Sequence, residues 1–448
     1  MDLYDATNGT GWANNTGWSR NPSVPLCDWY GTLQCNASAL RVVRLAGNGL
    51  AGTLPATWSN GTGKLGTLQV VDFRGNQLSG GLPLAWGTTP SVQVLDFSSN
   101  QLTGTLPPEW ASVAELRDLR LNNNQLTGTL PATWGNLTQL VTLDLRANQL
   151  TGTLPWAWSR IRPLQLLTLC SNRLTGTLPP EWGSLSRLRD FHLHTNRLNG
   201  TLPAAWSGMQ SLQFIYIDDN QLTGTLPPQW SNVTSLRNIS LQGNQLTGSL
   251  PSEWSTPMVG LRVLYLGGNQ LTGTLPPLWT DTSSLQILDL SRNQFDGTIP
   301  SAWADIRDLQ VVRLGRNQVT GTLPSRWSAL PRLQVLDINS NRLTGTLPPE
   351  WSNITSLTNI SLRRQPTHWR AAARMEQPGG RAGALLVCQP AQRHDSRHVG
   401  RHEGPAKRES QQQSAHGHVA AAMERTTEIA RPRYQYQPAH WHAAVAVE

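Results

Sequence analysis

The fold of this 448-residue chain is decided by residues 119–134, which read LRLNNNQLTGTLPATW. The surrounding phrase, L-x-x-L-x-L-x-x-N-x-L-x-G-x-L-P-x-x-W, returns thirteen times. Its asparagines are Asn48, Asn76, Asn100, Asn124, Asn148, Asn172, Asn196, Asn220, Asn244, Asn269, Asn293, Asn317 and Asn341. Ten of the twelve intervals are 24 residues, one is 25 and one is 28. This period predicts a leucine-rich-repeat solenoid.

The conserved letters of the phrase each predict a local structure. In Leu119-Arg120-Leu121 the leucines point inward and Arg120 points outward, which is the period-2 pattern of a short strand. Strands of successive repeats then stack in parallel on a concave face. Asn124 and its equivalents follow the strand, where a side-chain amide satisfies backbone groups, so a buried asparagine ladder is expected. Gly128 permits a tight bend.

The convex side is predicted from the proline and tryptophan of each repeat. Pro131 imposes an extended or 3-10 path there. One tryptophan per turn, from Trp58 through Trp134 to Trp351, predicts rings stacked along the solenoid as core packing. The alternative is an exposed aromatic ramp that binds carbohydrate. Repeats of this kind need neighbours and capped ends to be stable.

The chain divides into three predicted segments: an N-terminal cap at 1–40, about thirteen to fourteen repeats at 41–362, and a tail at 363–448. The cap holds Cys27 and Cys35, which are close enough for a disulfide that closes a short loop. Such a bond implies an oxidising compartment, whereas two free thiols are the alternative.

Ten N-x-S/T sequons favour a glycosylated surface protein. They lie at Asn8, Asn14, Asn36, Asn60, Asn136, Asn199, Asn232, Asn238, Asn353 and Asn359.

The charge distribution argues against a nucleic-acid partner. The formal net charge is +8, but residues 1–362 hold 23 Lys and Arg against 21 Asp and Glu. The tail holds 13 against 7, so the basic character belongs to it. No apolar stretch approaches the ~20 residues that span a bilayer. Met1-Asp2-Leu3 does not begin a recognisable signal peptide.

The tail is interpreted as a frameshifted continuation of the repeats. One set of codons for Arg364–Glu376, read one nucleotide later, encodes GNQLTGALPPEW, which is the expected next repeat in register. The eight histidines of the tail also suggest a metal-binding or nucleic-acid-binding extension. We favour the frameshift and expect a disordered tail with few large apolar residues.

The phrase LTGTLP at 126–131 resembles the plant-type, extracellular leucine-rich-repeat class, as does the Cys-x7-Cys cap. The variant LPPEW, at 106–110, 178–182 and 347–351, resembles surface antigens and proteophosphoglycan-like proteins of kinetoplastid protists. This resemblance covers about residues 3–362. It implies a cell-surface or secreted interaction protein, usually made with a signal peptide and held by a C-terminal lipid anchor, neither of which is visible here.

The concave face is the predicted binding surface. Its lining comes from the two outward positions of each strand, from Arg44 and Ala46 to Asp337 and Asn339. Candidate ligand-binding residues are Arg120, His192, His194, Tyr216, Asp218, Tyr265 and Arg313, because Tyr and Arg are enriched at binding hot spots. Cys170 is expected there as an exposed thiol. The alternatives are a solvated face without a ligand, and a metal site at His192, His194 and Asp218.

The sequence therefore predicts a non-enzymatic recognition protein, at the cell surface or secreted, that binds protein or glycan without a cofactor. It contains no nucleophile elbow, P-loop, HExxH or paired acidic site. The alternative is a structural coat glycoprotein with no dedicated ligand. A third hypothesis is an inhibitor of another organism's enzymes.

Overall fold

The computed structural model describes residues 2–18, 26–36, 39–56, 67–255, 258–281, 283–366 and 385–386. All of them lie in one compact unit, Met1–Ala391. The second unit, Gln392–Glu448, lies outside the described residues, as does most of the predicted tail. The frameshift and the expected disorder of the tail therefore stay predictions.

The described strands form one long sheet and one small one. The long sheet has sixteen strands: β1 (Thr32–Asn36), β2 (Ala39–Arg44), β4 (Val70–Asp72), β6 (Val94–Asp96), β7 (Asp118–Arg120), β8 (Thr142–Asp144), β9 (Leu166–Thr168), β10 (Asp190–His192), β11 (Phe214–Tyr216), β12 (Asn238–Ser240), β13 (Val263–Tyr265), β14 (Ile287–Asp289), β15 (Val311–Arg313), β16 (Val335–Asp337), β17 (Asn359–Ser361) and β18 (Leu385–Leu386). The small sheet pairs β3 (Ala51–Thr53) with β5 (Gln77–Ser79).

From β2 onward each strand of the long sheet pairs in parallel with the next one in sequence, as β7 does with β8 through Leu119 and Leu143. The predicted parallel strands are thereby confirmed.

Short 3-10 helices follow the proline of each repeat on the opposite side. They span Leu84–Thr88, Pro108–Ser112, Ala132–Asn136, Trp156–Arg160, Pro180–Ser184, Ala204–Gly208, Pro228–Asn232, Ser252–Trp254, Pro277–Asp281, Ser301–Asp305, Ser325–Ala329 and Pro349–Asn353. The preceding proline is extended, with φ −68° and ψ 119° at Pro131. The predicted convex path of extended and 3-10 segments is confirmed.

The asparagine ladder is present and joins each repeat to the preceding one. Asn124 is buried, and its Oδ1 accepts the backbone N–H of Leu102 at 3.0 Å. Its Nδ2 donates to the carbonyls of Phe97, at 2.9 Å, and Leu121, at 3.1 Å. Because a buried backbone group without a partner costs about 1–3 kcal/mol, each asparagine holds neighbouring repeats in register.

The tryptophans stack inside the solenoid. Trp134 and Trp158 lie 6.4 Å apart between ring centroids and are nearly parallel, and both are completely buried. The indole N–H of Trp134 donates to the carbonyl of Pro107 in the preceding repeat at 2.9 Å. Core packing is confirmed for Trp86 and the later members of the series, so these rings are not available as a carbohydrate platform. Trp58 lies outside the described residues.

The N-terminal residues cover the first repeat with an aromatic cluster. After a short helix, Asp2–Ala6, the rings of Trp12 and Trp18 are buried 5.0 Å apart. Asn48, the first ladder asparagine, accepts the backbone N–H of Asn14 at 2.8 Å. The side chain of Cys35 lies outside the described side chains, so its disulfide with Cys27 stays a prediction.

At the other end, the ladder continues to Gln365, 24 residues after Asn341. Its Oε1 accepts the N–H of Leu343 at 3.1 Å, and its Nε2 donates to the carbonyl of Ile338 at 2.7 Å. Glutamine thus makes the bonds that asparagine makes elsewhere.

Candidate ligand-binding surface

The concave face carries three outward rows of side chains. In β7 the buried Leu119 separates Asp118 from Arg120, and Asn122 follows the buried Leu121. The residue before the first leucine therefore also faces outward, as the period-2 rule requires. The second and third rows are the predicted lining of the concave face, and the same alternation also predicts the first row, which was not among the predicted positions.

The missed row is apolar in the C-terminal half of the array. Val263, Ile287, Val311 and Val335 occupy matching positions on β13 to β16, and all four are half-buried. Adjacent parallel strands lie about 4.8 Å apart, so these side chains form a continuous strip, the valine strip. Half-buried aliphatic side chains that face outward offer a surface for apolar groups of a ligand.

In the N-terminal half the outward charges are paired with one another. Nε of Arg120 donates to a carboxylate oxygen of Asp118 at 3.0 Å, and Arg146 approaches Asp144 to 3.6 Å. Arg120, a predicted ligand-binding residue, is thus already engaged within its own strand. A ligand that recruits Arg120 has to break this contact.

Several outward positions are less accessible than their orientation suggests. Asp144 is only 7% exposed, and burial raises the pKa of its carboxyl to about 6 in spite of the nearby Arg146 and Arg120. Other buried outward positions are Asp72, Asp96, Ser98, Asn122, Thr168, Ser240 and Asp289. These positions face outward but have little surface open to a ligand.

His192 and Tyr216 form the centre of the predicted cluster. Their rings stack 4.8 Å apart with an interplanar angle of 23°, and the His194 ring lies 6.3 Å from that of His192. Nδ2 of Asn238 donates to the Tyr216 hydroxyl at 3.1 Å. The structure therefore brings three of the predicted residues together as a fixed aromatic platform.

The cluster is electrostatically unusual. Burial, aided by His194 and Arg146, lowers the pKa of His192 to about 4, so the ring is neutral at pH 7. Burial also raises the pKa of Asp218, and this outweighs the lowering by His194 and by a hydrogen bond from Ser240. Burial thus disfavours the charged form of both His192 and Asp218.

Cys170 corrects a prediction. It was expected to be an exposed thiol on the concave face, but it is only 5% exposed. Burial raises the pKa of the thiol to about 12, and the nearby Asp144 adds to that effect. The thiol is free and protonated at pH 7. The alternation within one strand predicts that Cys170 faces outward, but it does not predict that neighbouring strands bury the side chain.

Tyr265 and Arg313, the remaining predicted residues, border the valine strip. Tyr265 is half-buried on β13, and Arg313 on β15 approaches Asp289 to 3.5 Å. The third row beside them contains Gly267 and Gly315, so it lacks side chains there. Both glycines are nevertheless buried, because Ser291 and Asn339 of the neighbouring repeats lie close to them. The C-terminal half consequently combines apolar and charged positions.

The predicted glycosylation sites differ in accessibility. Exposed asparagines are Asn8, Asn136, Asn199, Asn232, Asn353 and Asn359, and Asn14 is half-buried. Asn238 is half-buried beside Tyr216, which makes it the least suitable acceptor among those described. Asn60, and the side chain of Asn36, lie outside the described residues.

Within the described ranges, no group of three or more His, Cys, Asp or Glu side chains is placed to hold a metal ion. No helix in that part of the chain is long and apolar enough to cross a membrane.

Comparison with family models agrees with the fold described above. A leucine rich repeat model matches residues 90–150, 162–222 and 234–295, and a second matches 332–354. The chain is a leucine-rich-repeat solenoid. Comparison with curated proteins found no match, so the resemblance to kinetoplastid surface antigens stays a prediction.

Similar solved structures include the following three. PEPR1–AtPEP1 is 26% identical with TM-score 0.71, over 84% of this chain and 57% of that one. The ectodomain of the receptor kinase GASSHO1/SCHENGEN3 from Arabidopsis thaliana, in complex with CASPARIAN STRIP INTEGRITY FACTOR 2, is 30% identical with TM-score 0.62, over 73% and 41%. The plant peptide hormone receptor RGFR1, in complex with RGF2, is 27% identical with TM-score 0.64, over 79% and 64%.

The chain thus spans 57%, 41% and 64% of the lengths of those three structures, in that order.

Proposed function

We propose that this leucine-rich-repeat protein is a non-enzymatic recognition protein, at the cell surface or secreted, that binds an extended polypeptide segment on its concave face. The observation that carries the proposal is the continuity of two features. The His192–Tyr216 platform on β10 and β11 leads, within the same sheet, to the valine strip on β13 to β16. Three solved relatives of similar fold are complexes with named ligands, and one is called a peptide hormone receptor.

The chemistry of this face suits a peptide. The valine strip offers contacts to aliphatic side chains, and the half-buried carboxyl of Asp218 offers a hydrogen-bonding group beside the platform. Rigid aromatic groups such as Tyr216 provide binding area at low entropic cost. A glycan ligand is less favoured, because the tryptophans that would stack on sugars are buried.

The test is selection of a displayed library of random linear peptides on the full-length chain. Selected peptides are then titrated against Tyr216→Ala and Val311→Asp, with Gln125→Ala as the control. Gln125 is exposed and lies off the concave face. We expect each concave substitution to weaken binding about 10- to 30-fold, the usual range for hot-spot truncation, and the control to have no effect.

The proposal fails if no peptide is enriched, or if peptide binding survives both concave substitutions. A glycan array probed with the same preparation distinguishes the two ligand classes. A chain that retains neither peptides nor glycans fits the alternative of a structural coat.

A further inference from the structure

A second surface of the solenoid is formed by the two residues that flank the positive-φ glycine of each repeat. In the eleven repeats from Thr103 to Thr346, nineteen of these twenty-two positions are threonine. The others are Asn199, Ser249 and Asp296. We call this surface the threonine face. Nearly all of its side chains are exposed, so core packing does not require their identity.

The threonine face has a fixed repeat in two directions. Parallel bridges join Thr105 to Thr127 and Thr129 to Thr151, and the same pattern continues along the array. Bridged residues on neighbouring repeats stand about 4.8 Å apart, the spacing of paired parallel backbones. The two flanking residues of one repeat are separated by a glycine whose left-handed φ is nearly constant, 77° at Gly128 and 75° at Gly200, so the same bend recurs in each repeat. The backbone therefore places the threonines at regular positions.

The side chains are held as regularly as the backbone. The hydroxyl of Thr127 donates to the carbonyl of Gly104 at 3.1 Å, and that of Thr151 donates to Gly128 at the same distance. Thr223 repeats this bond with Gly200 at 3.2 Å. Threonine also has few side-chain rotamers. The methyl groups of this column are thus presented in a similar orientation from repeat to repeat. In the other column, Cγ2 of Thr105, Thr129 and Thr201 packs in the same way beside the glycine of the next repeat.

The composition of the threonine face indicates what it recognises. Among the described positions of its two columns, Asp296 is the one ionisable side chain, so a charged polymer finds little complementarity. The columns contain no aromatic ring on which a sugar could stack. Many identical, weak and rigid contacts suit a ligand that is itself periodic. The binding free energies of the contacts then add, because neither surface loses further conformational entropy.

We propose that the threonine face binds ice. An ice surface presents oxygen atoms at fixed repeats in two dimensions, and ordered water bridges hydroxyl groups readily. Regular threonines give such a surface both hydroxyls that accept hydrogen bonds and methyls that exclude mobile water. The proposal is independent of a ligand on the concave face.

The test measures thermal hysteresis and inhibition of ice recrystallisation by the full-length chain. Thr201→Lys places a long charged side chain in the middle of the threonine face. The matched control is Thr133→Lys, an exposed threonine on a convex 3-10 helix. We expect Thr201→Lys to require at least ~5-fold more protein for equal inhibition, and Thr133→Lys to match the wild type.

A second variant separates loss of binding from loss of folding. Thr177→Ser with Thr201→Ser keeps both hydroxyls, removes two methyls and should weaken inhibition while the unfolding temperature stays near that of the wild type. Inhibition by the wild type that falls in both variants but not in the control supports the proposal. A wild-type chain without activity, or equal activity in Thr201→Lys and Thr133→Lys, overturns it.

Discussion

The concave face and the threonine face are built on the same repeats, yet their sequences behave oppositely. Along the concave face the second outward row changes from Arg120 to Asp144, Thr168 and His192 in successive strands. Along the threonine face the same side chain returns almost every time. A varied row can distinguish one irregular ligand from another, whereas a uniform row can match only a regular one. The two faces are therefore suited to different classes of partner.

The largest expected effect comes from a residue that supports both faces. Trp206→Ala removes a buried ring that stacks 6.2 Å from Trp230 and donates to the Pro179 carbonyl at 2.9 Å. We expect a loss of about 3–5 kcal/mol in the free energy of unfolding, since a large cavity is created. Urea denaturation measures it. Trp156→Ala, which removes an exposed tryptophan, should change stability far less.

The asparagine ladder should give the next largest effect. Asn220→Ala leaves the buried N–H of Leu198 without its partner, and the carbonyl of Leu193 keeps only the bond from Asn196. The expected loss is roughly 2–3 kcal/mol, because buried groups lose their hydrogen bonds. Urea denaturation beside the exposed control Gln221→Ala checks this. Equal stability of the two variants would show that the ladder is dispensable.

A glycine substitution separates the threonine face from the concave face. Gly200 has φ +75°, and a Cβ there would lie 2.8 Å from Cγ2 of Thr177. Gly200→Ala should cost about 1–2 kcal/mol, the penalty for an L-residue in the left-handed region. Thermal unfolding measures the cost.

The comparison variant is Thr195→Gly. Thr195 already has φ 57°, and its substitution should change stability by about 0.5 kcal/mol or less, because relieved strain offsets added freedom in the unfolded chain. Gly200→Ala should weaken the inhibition of ice recrystallisation and leave peptide binding unchanged. A loss of peptide binding alone would reverse the assignment of the two faces.

The effects that depend on pH are confined to the concave face. The pKa of His192 falls from 6.5 to about 4 on folding, so the unfolded chain takes up its proton first as pH falls. Stability linked to His192 is therefore lost between pH 6.5 and 4. His192→Gln should gain about 1–2 kcal/mol relative to wild type between pH 7 and pH 4.5. Urea titrations at both values measure this.

Asp144, on the same face, should change the stability with pH in the opposite direction. Its pKa rises from 3.8 to about 6 on folding, so the folded chain takes up the proton first and gains stability as pH falls through that window. Asp144→Asn should therefore lose about 1 kcal/mol relative to wild type over the same change. Parallel slopes for the two variants would contradict the assigned burial of both groups.

Much of the fold follows from residues whose role is set by their position in the repeat. Leu119, Asn124, Gly128 and Trp134 each have a role set by local geometry, and each is found in it. The period-2 alternation of the strands also predicts that the side chains of the valine strip face outward. What the sequence could not predict depends on neighbouring repeats.

Cys170 illustrates that dependence. Its position faces outward by every local rule, yet adjacent strands bury it. The pairing of Arg120 with Asp118, rather than with a ligand, is likewise a matter of side-chain geometry. The sequence predicts that His192 and Tyr216 lie close together, but it does not predict that their rings stack, because stacking depends on side-chain conformation.

The central claim is that the concave face, and not the threonine face, recognises a polypeptide. The most direct measurement is the affinity of one library-selected peptide for the wild type, Tyr216→Ala and Thr201→Lys under identical conditions. We predict that Tyr216→Ala weakens binding by about 10-fold or more and that Thr201→Lys leaves it unchanged. Weakened binding in Thr201→Lys with full binding in Tyr216→Ala would contradict the claim.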